Sequence, residues 1–161
     1  SVASPALLRL LARPDLFADW TVMVQKEVAD RILAPPGSRL YGVLTLLCAA
    51  RAAATRTLEL SPSSFTPPPA VQSTLLHFTA RVAPFASPEA HASFERVVKA
   101  AFSSRRKMLR NALAAGLRIA PEQAEAVLRA GGINPEDRPE RVPLQGYVDL
   151  AGRVKGQGSL I

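Results

Sequence analysis

Five positive charges fall between residues 103 and 118, in the stretch "SSRRKMLRNALAAGLR": Arg105, Arg106, Lys107, Arg110 and Arg118, with no acid among them. Cations this dense suit a polyanion, because each phosphate neutralised releases a condensed counterion. If the stretch is helical, Arg106 and Arg110 stand at i and i+4 and share a face. Like charges there cost about 0.2–0.5 kcal/mol in an isolated helix. The competing reading is a solvated helix start, which the absence of compensating acids weakens. Arg39, in the loop "PGSRLYG", is offered as one further phosphate contact.

A second candidate is Phe65 in "SSFTPPPAVQS". Pro67, Pro68 and Pro69 set φ near −65° and push each preceding residue out of the helical region. Thr66, Pro67 and Pro68 are therefore expected to be extended. A flat ring on a stiff loop suits stacking against a nucleic-acid base, worth about 1–3 kcal/mol. A Phe tucked into the core beside a proline-rich turn accounts for the same residues equally well.

The other chemistry-bearing residues support quieter readings. Lys26 and Glu27 follow the apolar run "WTVMVQ", at a strand's carboxyl end where α/β sites form, but a solvated helix-start ion pair explains them more simply. His77 has no second ligand nearby in sequence and reads as structural, so no metal site is expected. Cys48 is the single cysteine. It excludes an intrachain disulfide, and its Leu and Ala neighbours make it a core residue. Trp20 is expected in the core.

The elements that position these residues follow from periodicity. "SPALLRLLA" is a helix stopped by Pro14, "WTVMVQ" a buried strand, and "KEVADRILA" a helix ended by "PPG". A helix is expected from about Leu40 to Ala54, a strand in "TRTLEL", and after the proline loop a strand in "VQSTLLHFTARV", the last two paired antiparallel. From Ser87 onward only helices are expected: "SPEAHASFERVVKAAF" with Ser87 and Pro88 at the cap and first position, "SSRRKMLRNALAAG", "APEQAEAVLRAGG" and "VPLQGYVDLAGRV". This predicts an α/β part over residues 1–85, a small helical domain over 86–153 and a flexible tail over 154–161.

Of 161 residues, 48% are hydrophobic and the net charge is +7 with a pI near 10.5, which favours an anionic partner. No apolar run approaches the roughly 20 residues of a membrane span, and "SVASPALLRLLARPD" lacks the order of a signal peptide. The α/β part has no glycine before Gly37 and no G-x-G in residues 1–100. A Rossmann-like cofactor turn needs such glycines. What the order of elements predicts is the second half of an α/β sheet without its cofactor half. With no initiator Met, the chain is expected to be a fragment.

"MVQKEVADRI", "PGSRLYGVL", "SSFTPPPAVQS", "AFSSRRKMLRNAL" and "GINPEDRPERV" occur here in the order and spacing of the KsgA/RsmA family. The chain resembles these small-subunit ribosomal RNA adenine N6-dimethyltransferases over about residues 1–153. The resemblance implies the second half of a Rossmann-like methyltransferase sheet, followed by a small all-α domain that docks RNA. It implies S-adenosylmethionine as cofactor, held by a loop upstream of Ser1, with the family's Asn-Leu-Pro-Tyr/Phe motif also upstream, so this chain alone is expected to be inactive. Phe65 matches the aromatic that helps hold a flipped adenine. Arg105, Arg106, Lys107 and Arg110 match the family's RNA-facing positions. The implied reaction is direct methyl transfer, without a metal, to two adjacent adenines of 16S rRNA. The implied partner is small-subunit rRNA within a 30S precursor, met in the cytoplasm by a monomer, with no membrane. Three alternatives remain: an erythromycin-resistance type 23S rRNA methylase, a non-catalytic RNA-binding or ribosome-assembly module, and a mitochondrial transcription-factor relative.

Overall fold

The computed structural model describes residues 3–13 and 16–157. In chain order the elements are α1 (Ala3–Leu11), β1 (Asp19–Gln25), α2 (Lys26–Ile32), α3 (Val43–Ala49), β2 (Ala52–Leu60), β3 (Ser73–Ala80), α4 (Pro88–Ala101), α5 (Leu109–Leu117), α6 (Pro121–Ala130) and α7 (Leu144–Gln157). Short 3-10 turns occupy Pro62–Ser64 and Pro139–Arg141. The chain divides into two compact units. One holds the described residues up to Pro35 together with Leu44–Ala83; the other holds Pro36–Val43 and the described residues from Pro84 on. The sequence reading kept residues 36–43 in the α/β part, because nothing local marks that loop as packed among distant helices.

In the first unit β3 lies between β1 and β2 and runs antiparallel to both, so β1 and β2 run parallel. Side chains alternate across a strand, and here the alternation sorts them cleanly. Thr74, Leu76 and Phe78 of β3 are buried on one face with Val24 and Ala52. Leu7 and Leu11 of α1, Ala29 and Ile32 of α2 and Cys48 of α3 pack into the same core. Trp20 stacks on Phe78 at 5.5 Å between centroids. Ser73 of β3 is the register partner of both Gln25 and Leu60, the last residues of β1 and β2. The segment 61–72 therefore hangs from the carboxyl edge of two parallel strands.

The second unit is all helical. Ser87 caps α4, its hydroxyl accepting from the Ala90 amide at 3.2 Å, with Pro88 in the first turn as expected. Phe94, Val97 and Val98 of α4, Leu109 and Leu113 of α5, Leu128 of α6 and Tyr147 and Leu150 of α7 form its buried centre. Gly116 lets α5 close onto α4: a Cβ there would stand 2.5 Å from the Ala100 Cβ.

Three expectations change. The helix expected over 40–54 covers only Val43–Ala49, and Ala52–Ala54 belong to β2, paired with Ala80, Thr79 and Phe78. Alanine's helix preference is weak beside a sheet ladder. The helix expected from Ser103 begins only at Leu109. Residues before it turn instead, with Ser103 Oγ donating to the Ala100 carbonyl at 2.7 Å and the Lys107 amide to the Ser104 carbonyl at 3.1 Å. Arg106 and Arg110 therefore do not share a helix face. The tail expected from residue 154 is helical through Gln157, while residues 158–161 and the stop expected at Pro14 lie outside the described residues.

Candidate nucleic-acid interface

Phe65 closes the 3-10 turn Pro62–Ser64, its amide donating to the Pro62 carbonyl at 3.2 Å and its own backbone extended at φ −126°, ψ 153°. The Ser61 and Ser63 hydroxyls lie 2.6 Å apart beneath the turn. Downstream, the Thr66–Pro67 peptide is cis. The far end of the loop is pinned where the Lys26 amide donates to the Gln72 carbonyl at 2.9 Å. Phe65 is half-buried and stands outside the core cluster. Among the described residues no aromatic ring pairs with it.

The second unit carries 13 of the 20 Lys and Arg residues against 8 of the 13 acids. Its cations differ in what they touch. Arg110 donates to Glu125 at 3.3 Å, and Arg129 shares the same carboxylate at 2.8 Å. Arg129 first, then Arg110, holds the Glu125 carboxyl below its usual range. Arg110 and Arg129 thus share one acid, so the cluster around Glu125 keeps a net positive charge. Arg105 turns back on its own chain: Nη1 donates to the Arg39 carbonyl at 2.7 Å, and its guanidinium carbon lies 5.8 Å from the Phe102 ring centre. Arg39, Arg106 and Lys107 are exposed, and among the described residues no carboxylate pairs with them.

These cations sit on two turns that the segment 134–142 holds by backbone carbonyls. Asp137 and Pro135 accept from the Leu109 and Arg110 amides at 2.8 and 3.1 Å, satisfying two orphan donors at the start of α5. Glu140 accepts from the Gly37 amide at 2.7 Å, in a turn where φ is +88° and glycine fits without strain. Val142 accepts from the Tyr41 hydroxyl at 2.9 Å and Pro139 from Tyr147 at 2.8 Å. Burial pushes the Tyr41 phenol up to about 12, so it remains a donor. "GINPEDRPERV" is a scaffold that sequence reasoning used as a motif without a role. No residue-level signal marks carbonyls as the working atoms, so only the three-dimensional path shows them.

The remaining candidates are structural. Lys26 donates to Asp30 at 2.8 Å, and Asp30 also accepts from Arg56 at 2.7 Å. Lys26 and Arg56 together hold the Asp30 carboxyl below its usual range. Glu27 pairs with Arg31 at 2.6 Å. His77 Nδ1 lies 3.1 Å from the Thr21 hydroxyl. Cys48 is 1% exposed, and burial pushes its thiol up to about 12, far from a reactive thiolate. Among the described residues no cluster of three His, Cys, Asp or Glu could hold a metal, and no helix is long and apolar enough to cross a membrane. β1 passes directly into α2 at Gln25 and Lys26, with no glycine between them.

A reversed strand between two parallel ones, followed by a helical unit, defines the class. The fold is the later part of a Rossmann-like sheet followed by a small all-α unit. A solved dimethyladenosine transferase from Plasmodium falciparum superposes with a TM-score of 0.83 at 21% identity, over 98% of this chain and 64% of that one. A solved 23S rRNA methyltransferase, ErmE, superposes with a TM-score of 0.61 at 20% identity, over 94% of this chain and 61% of that one. Residues 2–155 match the ribosomal RNA adenine dimethylase family, and the chain belongs to it. The ribosomal RNA small subunit methyltransferase A of Cereibacter sphaeroides is 42% identical over 158 residues, 97% of this chain and 55% of the relative. That of Jannaschia sp. is 45% identical over 154 residues, 94% of this chain and 52% of the relative. The chain thus spans about half the length of the curated relatives it matches.

Proposed function

We propose that this chain is the target-binding part of an adenine N6-dimethyltransferase of small-subunit rRNA. The whole protein uses S-adenosylmethionine as methyl donor, and the residues that hold it belong to sequence outside this chain. Phe65 presents its ring to a flipped adenine and returns part of the lost stacking. Arg39, Arg106 and Lys107 meet RNA phosphates and set the register of the target, while the flipped base supplies specificity. The natural substrate is a 30S precursor, met as a monomer in the cytoplasm.

The observation that carries this reading is the half-buried, ring-unpaired Phe65 on a loop anchored at the carboxyl edge of two parallel strands. Open α/β sheets bind their ligands outside that edge. The small-subunit assignment is supported by the names of the relatives above.

The test is the product. The intact protein carrying this chain is incubated with methyl-labelled S-adenosylmethionine and unmethylated small ribosomal subunits, and the rRNA is digested to nucleosides. N6,N6-dimethyladenosine in the small-subunit RNA is expected. Label confined to large-subunit RNA, or to another nucleoside, would overturn the reading.

A further inference from the structure

Arg105 stands first in the basic run, yet its guanidinium is committed within the protein. It donates to the Arg39 carbonyl at 2.7 Å and lies 5.8 Å from the centre of the Phe102 ring. It fills the space left by Gly42, where a Cβ would come within 2.6 Å of Arg105 Nη2 and 3.7 Å of the Phe102 ring. Tyr41, beside Gly42, packs edge-on to the same Phe102 ring at 6.3 Å. Three hydrogen bonds help hold the loop 36–43: Gly37 to Glu140, Tyr41 to Val142, and the Arg39 carbonyl to Arg105. The first two fix its flanks. The third ties the Arg39 backbone to the turn that bears Arg106 and Lys107.

We propose that Arg105 is a positioning residue and not a phosphate ligand: it braces the Arg39 loop against the 103–107 turn, so that Arg39, Arg106 and Lys107 present their charges in one fixed arrangement. Gly42 is the second part of the device, since its missing side chain makes room for the guanidinium. A planar fork suits this task better than an ammonium, because it can donate in its plane while one face lies toward an aromatic ring. The proposal rests on the reading that the other three cations bind RNA phosphate.

Two measurements separate the brace from that reading. The first needs no RNA. Amide hydrogen exchange is followed over residues 38–42 in the wild-type chain and in Arg105→Ala, Arg105→Lys, Arg106→Ala and Gly42→Ala. Loss of one exposed hydrogen bond should speed exchange there roughly three- to tenfold in Arg105→Ala and Gly42→Ala. Arg106→Ala should leave it unchanged, and Arg105→Lys, which keeps one donor, should fall between. Unchanged exchange in Arg105→Ala would overturn the brace.

The second is the salt dependence of binding to a small-subunit rRNA transcript. Arg39→Ala, Arg105→Ala and Gly42→Ala should each lower the log–log slope by roughly 1, and Arg39→Ala with Arg105→Ala together by no more than either alone. Gly42→Ala is decisive, because it keeps every cation while its Cβ would meet the Arg105 guanidinium at 2.6 Å. An unchanged slope in Gly42→Ala, with additive losses in the double variant, would make Arg105 a direct phosphate ligand. Binding with no salt dependence in the wild type would overturn the phosphate reading, and the exchange measurement would still decide the brace.

Discussion

Replacing Phe65 separates a base-stacking ring from a packing ring. The side chain is half-buried and outside the core cluster, and among the described residues no other ring touches it. A fully buried Phe→Ala costs about 3–5 kcal/mol, so truncation at a half-buried site should cost roughly 2 kcal/mol of stability. The loop itself should persist, because its ends are held by the Lys26–Gln72 hydrogen bond and by the β3 register rather than by the ring. If the ring stacks on the flipped adenine, Phe65→Ala in the intact enzyme removes about 1–3 kcal/mol of transition-state binding. That lowers kcat/KM roughly five- to 150-fold, at about 1.4 kcal/mol per factor of ten. Phe65→Tyr keeps the π-face on the same loop, and its hydroxyl can reach solvent from a half-exposed site, so activity should stay within a few-fold. Thermal melting and kcat/KM on both variants form one paired assay. A stability loss above about 3 kcal/mol with kcat/KM unchanged in the folded fraction would refute the stacking role.

Isothermal titration of this chain with S-adenosylmethionine should show no saturable heat, since the proposed function places the cofactor's residues elsewhere in the whole protein; micromolar binding would contradict that. Gly116→Ala should destabilise the helical unit by about 1–3 kcal/mol through overpacking, since the new methyl meets Ala100 at 2.5 Å, and urea unfolding reads it directly. Asp30 titrates below its usual value in the folded state because of Lys26 and Arg56. Its contribution is therefore present above the unfolded carboxyl pKa and is lost as pH falls through the lower folded one. In Asp30→Asn the melting temperature should fall less steeply with pH across that acid window than in the wild type; parallel curves would show that the Lys26–Asp30–Arg56 cluster carries no linked stability.

Where the sequence read well, local chemistry and tertiary packing agree. Ser87 followed by Pro88 starts α4 because the hydroxyl and the missing N–H both suit a helix's first turn. The antiparallel pairing of β2 with β3 follows from two alternating runs around a proline loop. The misreadings fall where distant partners decide. Ala52–Ala54 are strand because β3 offers a ladder, and the helix at 109 starts late because carbonyls of 135 and 137 supply its cap. The same distance effect governs the site. Arg105, Arg106 and Lys107 are equivalent as letters and all exposed, yet one is tied to a carbonyl 66 residues away. Arg110 has a partner that its neighbours in sequence do not show: Glu125, fifteen residues on, which it shares with Arg129.

The central claim is that the helical unit meets RNA through Arg39, Arg106 and Lys107. It is tested most directly by changing all three to Ala and following the affinity of the chain for a small-subunit rRNA transcript from about 50 to 200 mM salt. Loss of three phosphate contacts should flatten the log–log slope by roughly 2–3 units, with the fold intact by circular dichroism. A slope equal to that of the wild type would mean that these cations are merely solvated, and that the RNA interface of this protein lies elsewhere.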